Sequence, residues 1–198
     1  MANNKTAKNT QQTKSQDLMT LQEKFDKQIA PAFMQEFGIK NIMAVPRPVK
    51  VVLNIGVGAE SKDASALEEI ASALTNLAGQ KAVFTKAKKA VAGFNIRKGD
   101  VIGIKVTLRH NKMWGFLDKL INIVLPRTKD FKGIDPNKFD KAGNYTFGLV
   151  EYLVFTEVDP VKINKVKGLS ITITFRNSNP KYSRYLMEKM GFVFKNNK

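Results

Sequence analysis

Three segments of the chain place apolar residues at every second position, with mostly polar or small residues between them. They run from Val49 to Val57, from Val101 to Arg109 and from Leu169 to Arg176. Successive side chains of a strand leave opposite faces of its sheet, so this alternation predicts three strands with one buried and one exposed face. Two less regular segments, Gln80 to Thr85 and Leu149 to Phe155, are also predicted to be strands.

Other segments repeat their apolar residues every three or four positions, which is the helical period. The predicted helices run over residues 17–38 with an interruption at Pro31, over 61–79, over 113–125 with a stop at Pro126, and over 179–191, with a helical turn at 159–166. Since amphipathic helices accompany half-buried strands, the predicted fold class is α+β. We expect a mostly antiparallel sheet with helices packed on one face and an open polar and basic face.

Residues 1–16 contain three lysines, no acidic residue and almost no apolar side chain. Burial cannot offset the entropy cost of ordering such a segment, so we expect a disordered basic N-terminal tail. The remaining residues, 17–198, are predicted to form a single domain. Two long loops are expected in it, over 86–98 and 126–148, and long loops in compact domains are often functional.

Basic residues strongly outnumber acidic ones, with 33 Lys and Arg against 17 Asp and Glu and a net charge of +16. Such an excess is typical of proteins that bind nucleic acid or an anionic membrane surface. The chain has no cysteine and one histidine, His110, so disulfides, thiolate catalysis and a metal site are not expected. Without a signal peptide or an apolar run of about 18 residues, we expect a cytoplasmic protein and no membrane partner.

One segment, GVGAES at Gly56 to Ser61, raises the possibility of a nucleotide-dependent enzyme, because it lies between a predicted strand and a predicted helix. The third glycine of a dinucleotide-binding turn is replaced by Ser61, and the next predicted strand ends in basic residues, which do not suit a ribose hydroxyl. The pattern therefore favours an ordinary strand-to-helix turn. The carboxylates are scattered along the chain, so no catalytic residue and no cofactor is predicted.

The polar sides of the three alternating strands form a better candidate site. If these strands are neighbours, they create a platform of hydrogen-bond donors and positive charge from Lys50, Asn54, Lys105, Thr107, Arg109, Thr172, Thr174 and Arg176. A solvated sheet face would also be rich in threonine, but asparagine is depleted in strands, so Asn54 points to a ligand. Because this face has no aromatic side chain for base stacking, we expect contacts to phosphates, 2′-hydroxyls and the shallow groove of folded RNA.

A second basic segment follows the strand predicted at Gln80 to Thr85. Between Lys81 and Gly99 the chain has six basic residues and no acidic one, and the loop from Lys86 to Lys98 combines this charge with small residues and the aromatic Phe94. Small residues allow a phosphate to approach the backbone closely. We expect the loop to be flexible when free and to order on contact with a polyanion.

Several motifs together resemble a known family. KVVLNIGVG (50–58), GQKAVFTKAKKAVAGFNIRKGDVIGIKVTLR (79–109), MWGFLDKL, PRTKDFKG, GNYTFG and GLSITIT resemble, over about residues 18–195, bacterial large-subunit ribosomal protein five, the 5S rRNA-binding ribosomal protein family. The resemblance implies a non-enzymatic constituent of the large ribosomal subunit that attaches 5S rRNA in the central protuberance. It also implies three further partners, with the protein a monomer within the ribosome: 23S rRNA, P-site tRNA and, across the subunit interface, small-subunit ribosomal protein thirteen.

The resemblance also implies roles for individual residues. Asn54, Gln80 and Thr107 match polar 5S-contacting positions of the family, which gives a predicted 5S rRNA site of Lys50, Asn54, Gln80, Lys81, Lys105, Thr107, Arg109, Thr172 and Thr174. The predicted tRNA-proximal loop contains Lys86, Lys88, Lys89, Phe94, Asn95, Arg97 and Lys98. Two family arginines are Lys129 and Lys132 here, and lysine lacks the bidentate fork of arginine. The alternative hypothesis is a general RNA-binding or RNA-chaperone module not tied to the ribosome.

Overall fold

The computed structural model describes residues 19–58, 63–129, 131–158 and 167–195. The chain divides into two compact units, residues 1–45 and 46–198. The first contains helix α1 (residues 21–37), and the second contains all the strands of the described residues. The tail predicted at 1–16 and the helical turn predicted at 159–166 lie outside the described residues. A single domain over 17–198 stays a prediction.

Helix α1 runs through Pro31, where the sequence predicts an interruption. A π-helical turn over Phe25–Ile29 precedes the proline, and the N–H of Ala30 donates to the carbonyl of Phe25. Proline has no N–H and its ring clashes with a carbonyl of the preceding turn, and the wider turn relieves this conflict. The helix ends at Gly38, which has a left-handed φ of 65°, as predicted.

Five strands of the described residues form one fully antiparallel sheet in the order β2-β3-β1-β5-β4. The strands are β1 Arg47–Gly56, β2 Val83–Lys86, β3 Val101–Leu108, β4 Tyr145–Leu149 and β5 Leu169–Arg176. The three strands predicted from strict alternation are β3, β1 and β5, which are neighbours at the centre of the sheet. The predicted α+β class and antiparallel sheet are confirmed.

Among the residues that the structure describes, three helices of the second unit accompany the sheet: α2 Ala64–Ala78, α3 (residues 110–127) and α4 Pro180–Met190. Asp63 caps α2 by accepting a hydrogen bond from the N–H of Ala66, and Asn179 caps α4 by accepting one from the N–H of Tyr182. Such caps satisfy backbone donors that the first helical turn leaves unpaired. They explain why these helices begin where they do.

Helix α3 continues past Pro126, which the sequence predicts to stop it, and ends at Arg127. The turn before the proline is again π-helical, over Leu120–Val124, and the N–H of Leu125 donates to the carbonyl of Leu120. In both α1 and α3, a π-helical turn before the proline therefore allows the helix to continue past it.

The apolar face of the sheet forms the core of the second unit. Its central side chains are almost fully buried: Val51, Leu53, Ile55, Ile104, Val106, Leu108, Ile171 and Ile173. Helices α2 and α3 pack against β3 and β1 respectively. A slip of one residue in any central strand would expose its whole apolar set, so burial fixes the register. The same register directs the alternate, polar residues outward.

The prediction of a strand over Leu149 to Phe155 is wrong. Strand β4 ends at Leu149, which pairs with Leu169, the first residue of β5, and Tyr152–Val154 is a 3-10 turn. Within the described ranges, no strand pairs with the residues after Leu149, although the N–H of Tyr152 donates to the carbonyl of Lys167 at 3.3 Å. The predicted loop over 126–148 is correspondingly shorter, because its last residues belong to β4.

Candidate nucleic-acid interface

The sheet face opposite the apolar core carries mostly polar and small side chains, and we call it the polar face. Cross-strand pairing aligns its residues in rows: Lys105, Asn54, Ser170 and Gly148 in one row, Thr107, Val52, Thr172 and Thr146 in the next, and Lys50 with Thr174 in a third. All of these residues are exposed or half-buried. The face offers hydroxyl, amide and ammonium groups on one continuous surface.

Six of the nine predicted 5S rRNA-binding residues lie together on the polar face: Lys50, Asn54, Lys105, Thr107, Thr172 and Thr174. Asn54 is exposed and lies between Lys105 of β3 and Ser170 of β5. Among the described neighbours in its row it therefore has a cation on one side and a hydroxyl on the other, an environment suited to a polar or anionic ligand.

The other three predicted residues lie outside the strands. Arg109 follows β3 and is exposed at the start of α3, and Gln80 and Lys81 are exposed in the segment between α2 and β2. The side-chain amide of Gln80 donates to the backbone carbonyl of Thr107 at 3.3 Å. Gln80 therefore lies beside the end of β3 that carries Thr107, close to the polar face.

Sequence reasoning missed the contribution of the edge strand β4. Thr146 lies opposite Thr172, and their hydroxyl oxygens are 3.0 Å apart, within hydrogen-bonding distance. The signal was present, because Tyr145, Phe147 and Leu149 are buried and alternate with exposed Thr146 and Gly148. A strand placed a few residues too late concealed this alternation.

The predicted platform residue Arg176 has a basic neighbour across the sheet. It lies at the end of β5, directly opposite Arg47 of β1, a residue that the sequence did not single out. A register shift between Pro48 and Lys50 allows Arg47 to face the same side as Arg176. The pair places two guanidinium groups at one end of the polar face.

The basic loop, residues 86–98, begins at the last residue of β2 and leads to β3, and backbone hydrogen bonds close it at its base. The N–H of Ala87 donates to the carbonyl of Asp100 at 2.8 Å, and the N–H of Gly99 donates to the carbonyl of Ala87 at 3.0 Å. The carboxylate of Asp100 also accepts a hydrogen bond of 2.8 Å from the N–H of Arg97. Asp100, the first acidic residue after the basic run, thus fixes the position of the segment in which the loop leads back to β3.

The outer part of the basic loop is narrow and presents its side chains to solvent. Val91 and Ile96 form a bridge, and Asn95 adopts a left-handed φ of 53° between them. Phe94 is 76% exposed at this tip. All seven residues predicted to be tRNA-proximal are exposed.

The basic loop and the Gln80–Thr107 contact lie at opposite ends of β3. The loop enters β3 at Val101, and Thr107 lies six residues further along, a distance of about 20 Å in an extended strand. The basic stretch from Lys81 to Arg109 therefore supplies two separate surfaces.

The residues with clearly shifted pKa values lie away from the polar face. Burial, and then the carboxylate of Asp135, raises the pKa of Tyr145, whose hydroxyl donates to the Asp135 carbonyl at 2.8 Å. Burial alone would raise the pKa of Glu157, but its hydrogen bond from the Lys119 ammonium helps to lower it. Hydrogen bonds from Asn144 lower the pKa of Asp140. The hydrogen bonds of Asp140 and Tyr145 join residues between 135 and 145, and that of Glu157 joins it to Lys119 of helix α3.

Within the described ranges, His, Asp and Glu side chains do not assemble into any group of three that could hold a metal ion. The described helices also include none that is long and apolar enough to cross a membrane. Gly58 of the GVG segment has a left-handed φ of 56°, which agrees with a tight turn, and residues 59–62 lie outside the described residues. The arrangement defines a class of protein: an α+β protein with a basic, hydroxyl-rich sheet face.

Comparison with known proteins identifies the family. A family model described as ribosomal protein L5 matches residues 41–97, and a second model, described as the C-terminus of that ribosomal family, matches residues 101–194. The chain is 48% identical over 179 residues to large ribosomal subunit protein uL5 of Fervidobacterium nodosum, covering 90% of this chain and 97% of that protein. The same protein of Thermoanaerobacter sp. (strain X514) is 49% identical over 174 residues (88% and 97%), and that of Thermotoga maritima 46% over 179 (90% and 97%).

The chain therefore belongs to the ribosomal protein L5 family, as its motifs suggest. It is a structural constituent of the large ribosomal subunit and not an enzyme, and its location is the ribosome of the cytoplasm.

Proposed function

We propose that this protein binds 5S rRNA through the polar face and attaches it in the central protuberance of the large subunit. The observation that carries the proposal is the convergence of two independent selections. Alternation selects Asn54 and Thr107 as outward-facing strand residues, and the family motifs select the same two residues together with Gln80. Asn54 and Thr107 lie on neighbouring strands, and Gln80 is hydrogen-bonded to the backbone of Thr107. These positions support one continuous binding surface.

Binding combines two kinds of contact. Asn54, Thr107 and Thr172 offer side-chain hydrogen bonds to ribose hydroxyls and base edges, and such groups suit folded RNA, in which the shallow groove is accessible. Lys50, Lys105 and the neighbouring arginines neutralise phosphates, which releases counterions and makes the affinity depend on salt. The net charge of +16 supports this second kind of contact, the neutralisation of phosphates.

The basic loop has a different proposed partner, P-site tRNA. Its exposed cations and the exposed ring of Phe94 project from the end of β3 that is remote from Gln80 and Thr107. A phosphate backbone can be neutralised by the lysines, and an aromatic ring can stack on an unpaired base. The separation of about 20 Å along β3 is consistent with two different RNAs.

Two further partners complete the proposal. The protein contacts 23S rRNA and, across the subunit interface, small-subunit ribosomal protein thirteen, and it acts as a monomer within the ribosome. We assign the intersubunit contact to residues 126–148, which lie partly outside the sheet and expose Lys129 and Lys132.

Sucrose-gradient fractionation of cell lysate, followed by immunodetection, tests the proposal. The protein should sediment with the large subunit, and binding of in vitro transcribed 5S rRNA to the purified protein should be tight and specific. A general RNA-binding or RNA-chaperone module using the same face is the alternative. That alternative gains support if the protein stays at the top of the gradient and binds unrelated structured RNAs equally well.

A further inference from the structure

Four of the thirteen glycines are required neither by backbone conformation nor by packing within the protein. Seven glycines have a left-handed φ, and a Cβ atom added to Gly103 or Gly168 would lie within 3.4 Å of protein atoms. The remaining four have ordinary φ values, and among the described residues no atom beyond their own local backbone lies within 4 Å of a built Cβ: Gly56, Gly93, Gly115 and Gly148. The fold itself would accept alanine at these positions.

Two of these glycines are strand residues on the polar face. Gly56 is paired with Gly103, and Gly148 is paired with Ser170. Both lie near Asn54, because Gly56 is the next outward residue of β1 and Gly148 is in the same row as Asn54, two strands away. Gly148 and β1 are thus separated by about 10 Å across the sheet.

Glycine in a paired strand is costly, because it loses more chain entropy than alanine on folding and packs no side chain. It is retained at a bulge, at a sharp bend or where another backbone approaches closely. Neither register irregularity of this sheet falls in the pairing of Gly56 or Gly148: one lies between Pro48 and Lys50, at the other end of β1, and one lies in the β2–β3 pair, beside Gly103. We therefore take close approach by a ligand as the reason for these two glycines.

We infer that the sugar–phosphate backbone of the bound RNA lies against the protein main chain at Gly56 and Gly148, on two sides of Asn54. The inference rests on the proposed binding of 5S rRNA and adds to it two residues that contribute no side chain. The exposed Lys105 and the half-buried Ser170 lie in the row of Asn54. An RNA backbone that lies against the two glycines comes within reach of the Lys105 ammonium group and the Ser170 hydroxyl group. RNA suits such a basic surface better than a neutral or cationic partner does.

The test compares two properties of the full-length protein, the affinity for in vitro transcribed 5S rRNA and the midpoint of thermal unfolding. Gly56→Ala and Gly148→Ala should each weaken binding about tenfold, since a methyl group would hold the RNA away from neighbouring donors. Neither should lower the unfolding midpoint. Gly148→Val should bind more weakly still, although valine is favoured in strands.

Gly115→Ala is the matched control. Gly115 is an exposed residue of α3, and among the described residues no atom beyond its own local helix backbone lies within 4 Å of a built Cβ, so its replacement should raise the unfolding midpoint and leave the RNA affinity unchanged. The inference is overturned if both strand variants bind like the wild type, or if they lose binding only together with a lowered unfolding midpoint. A wild-type protein that does not bind 5S rRNA would instead reject the proposed function on which the inference rests.

Discussion

The side chain of Gln80 donates a hydrogen bond to the backbone of Thr107 in β3, beyond the point where the pairing of β2 with β3 ends. β2 pairs with β3 only from Val101 to Lys105, so the carbonyl of Thr107 lies beyond its last pair. The amide of Gln80 donates to this carbonyl at 3.3 Å. Residues 27 positions apart in sequence are thereby joined, and the segment that precedes β2 is attached to the edge of the polar face.

Asn54→Ala should weaken 5S rRNA binding by about 1–3 kcal/mol, because the complex would lose a hydrogen bond and leave its RNA partner unsatisfied. The folded protein should be equally stable, since Asn54 is exposed. Equilibrium titration with labelled 5S rRNA measures the first effect and thermal unfolding the second. Asn76→Ala, at an exposed position of α2, is the matched control and should bind like the wild type. Equal affinities for both variants would mean that the polar face is only solvated.

Replacing Lys88, Lys89 and Arg97 together by alanine should leave 5S rRNA binding nearly intact and disturb the position of P-site tRNA. The reason is distance, because these residues belong to the basic loop and not to the polar face. Lys50→Ala with Lys105→Ala is the comparison, and it should reduce the slope of log affinity against log salt by about 2. Filter binding over a salt series and chemical footprinting of tRNA in ribosomes carrying each variant measure the two effects. A collapse of 5S rRNA binding in the loop variant would show that the loop contacts 5S rRNA instead.

Most of the sheet could be predicted from the sequence because its central strands are buried on one face only. That condition produces strict alternation in β1, β3 and β5, and it also predicts which side chains face outward. The sequence places β4 too late because Val150, Leu153 and Val154 extend its apolar character past Leu149, although in the described part of the chain no strand pairs with them. Local sequence does not contain that information, since the limit of β4 is set by where β5 begins.

The structural effect of the prolines and the glycines could not be predicted from the sequence. Pro31 and Pro126 predict breaks by a sound local rule, but a π-helical turn before each allows the helix to continue. Gly56 and Gly148 are indistinguishable in sequence from glycines that the fold requires. Only the space around each built Cβ separates the two kinds.

Gly143→Ala should destabilise the protein by about 2 kcal/mol or more, because strain and crowding add at this position. Gly143 has a φ of 77°, and a built Cβ would lie 2.8 Å from the backbone carbonyl of Asn179 and 2.7 Å from the Ser183 hydroxyl. Gly79→Ala is the control, with a φ of 60° and no atom within 4 Å, and should cost about 1 kcal/mol. Urea unfolding of both variants measures the difference. Equal losses would show that the α4 cap region can move aside to accept the methyl group.

The buried Tyr145 should make the protein less stable at alkaline pH. Its pKa is raised in the folded state, first by burial and then by Asp135, whereas in the unfolded chain a tyrosine ionises near about pH 10. The folded state therefore keeps a proton that the unfolded state loses. The stabilisation is fully present below about pH 10 and declines as the pH rises above that value.

Tyr145→Phe removes the titrating group together with the hydrogen bond to the Asp135 carbonyl. At about pH 7 it should cost about 0.5–1.5 kcal/mol, and between about pH 10 and 11 the free energy of unfolding should fall less steeply than in the wild type. Urea titrations across this pH range provide the comparison. If Tyr145→Phe and the wild type lose stability in parallel, another group that titrates in this range controls the alkaline transition.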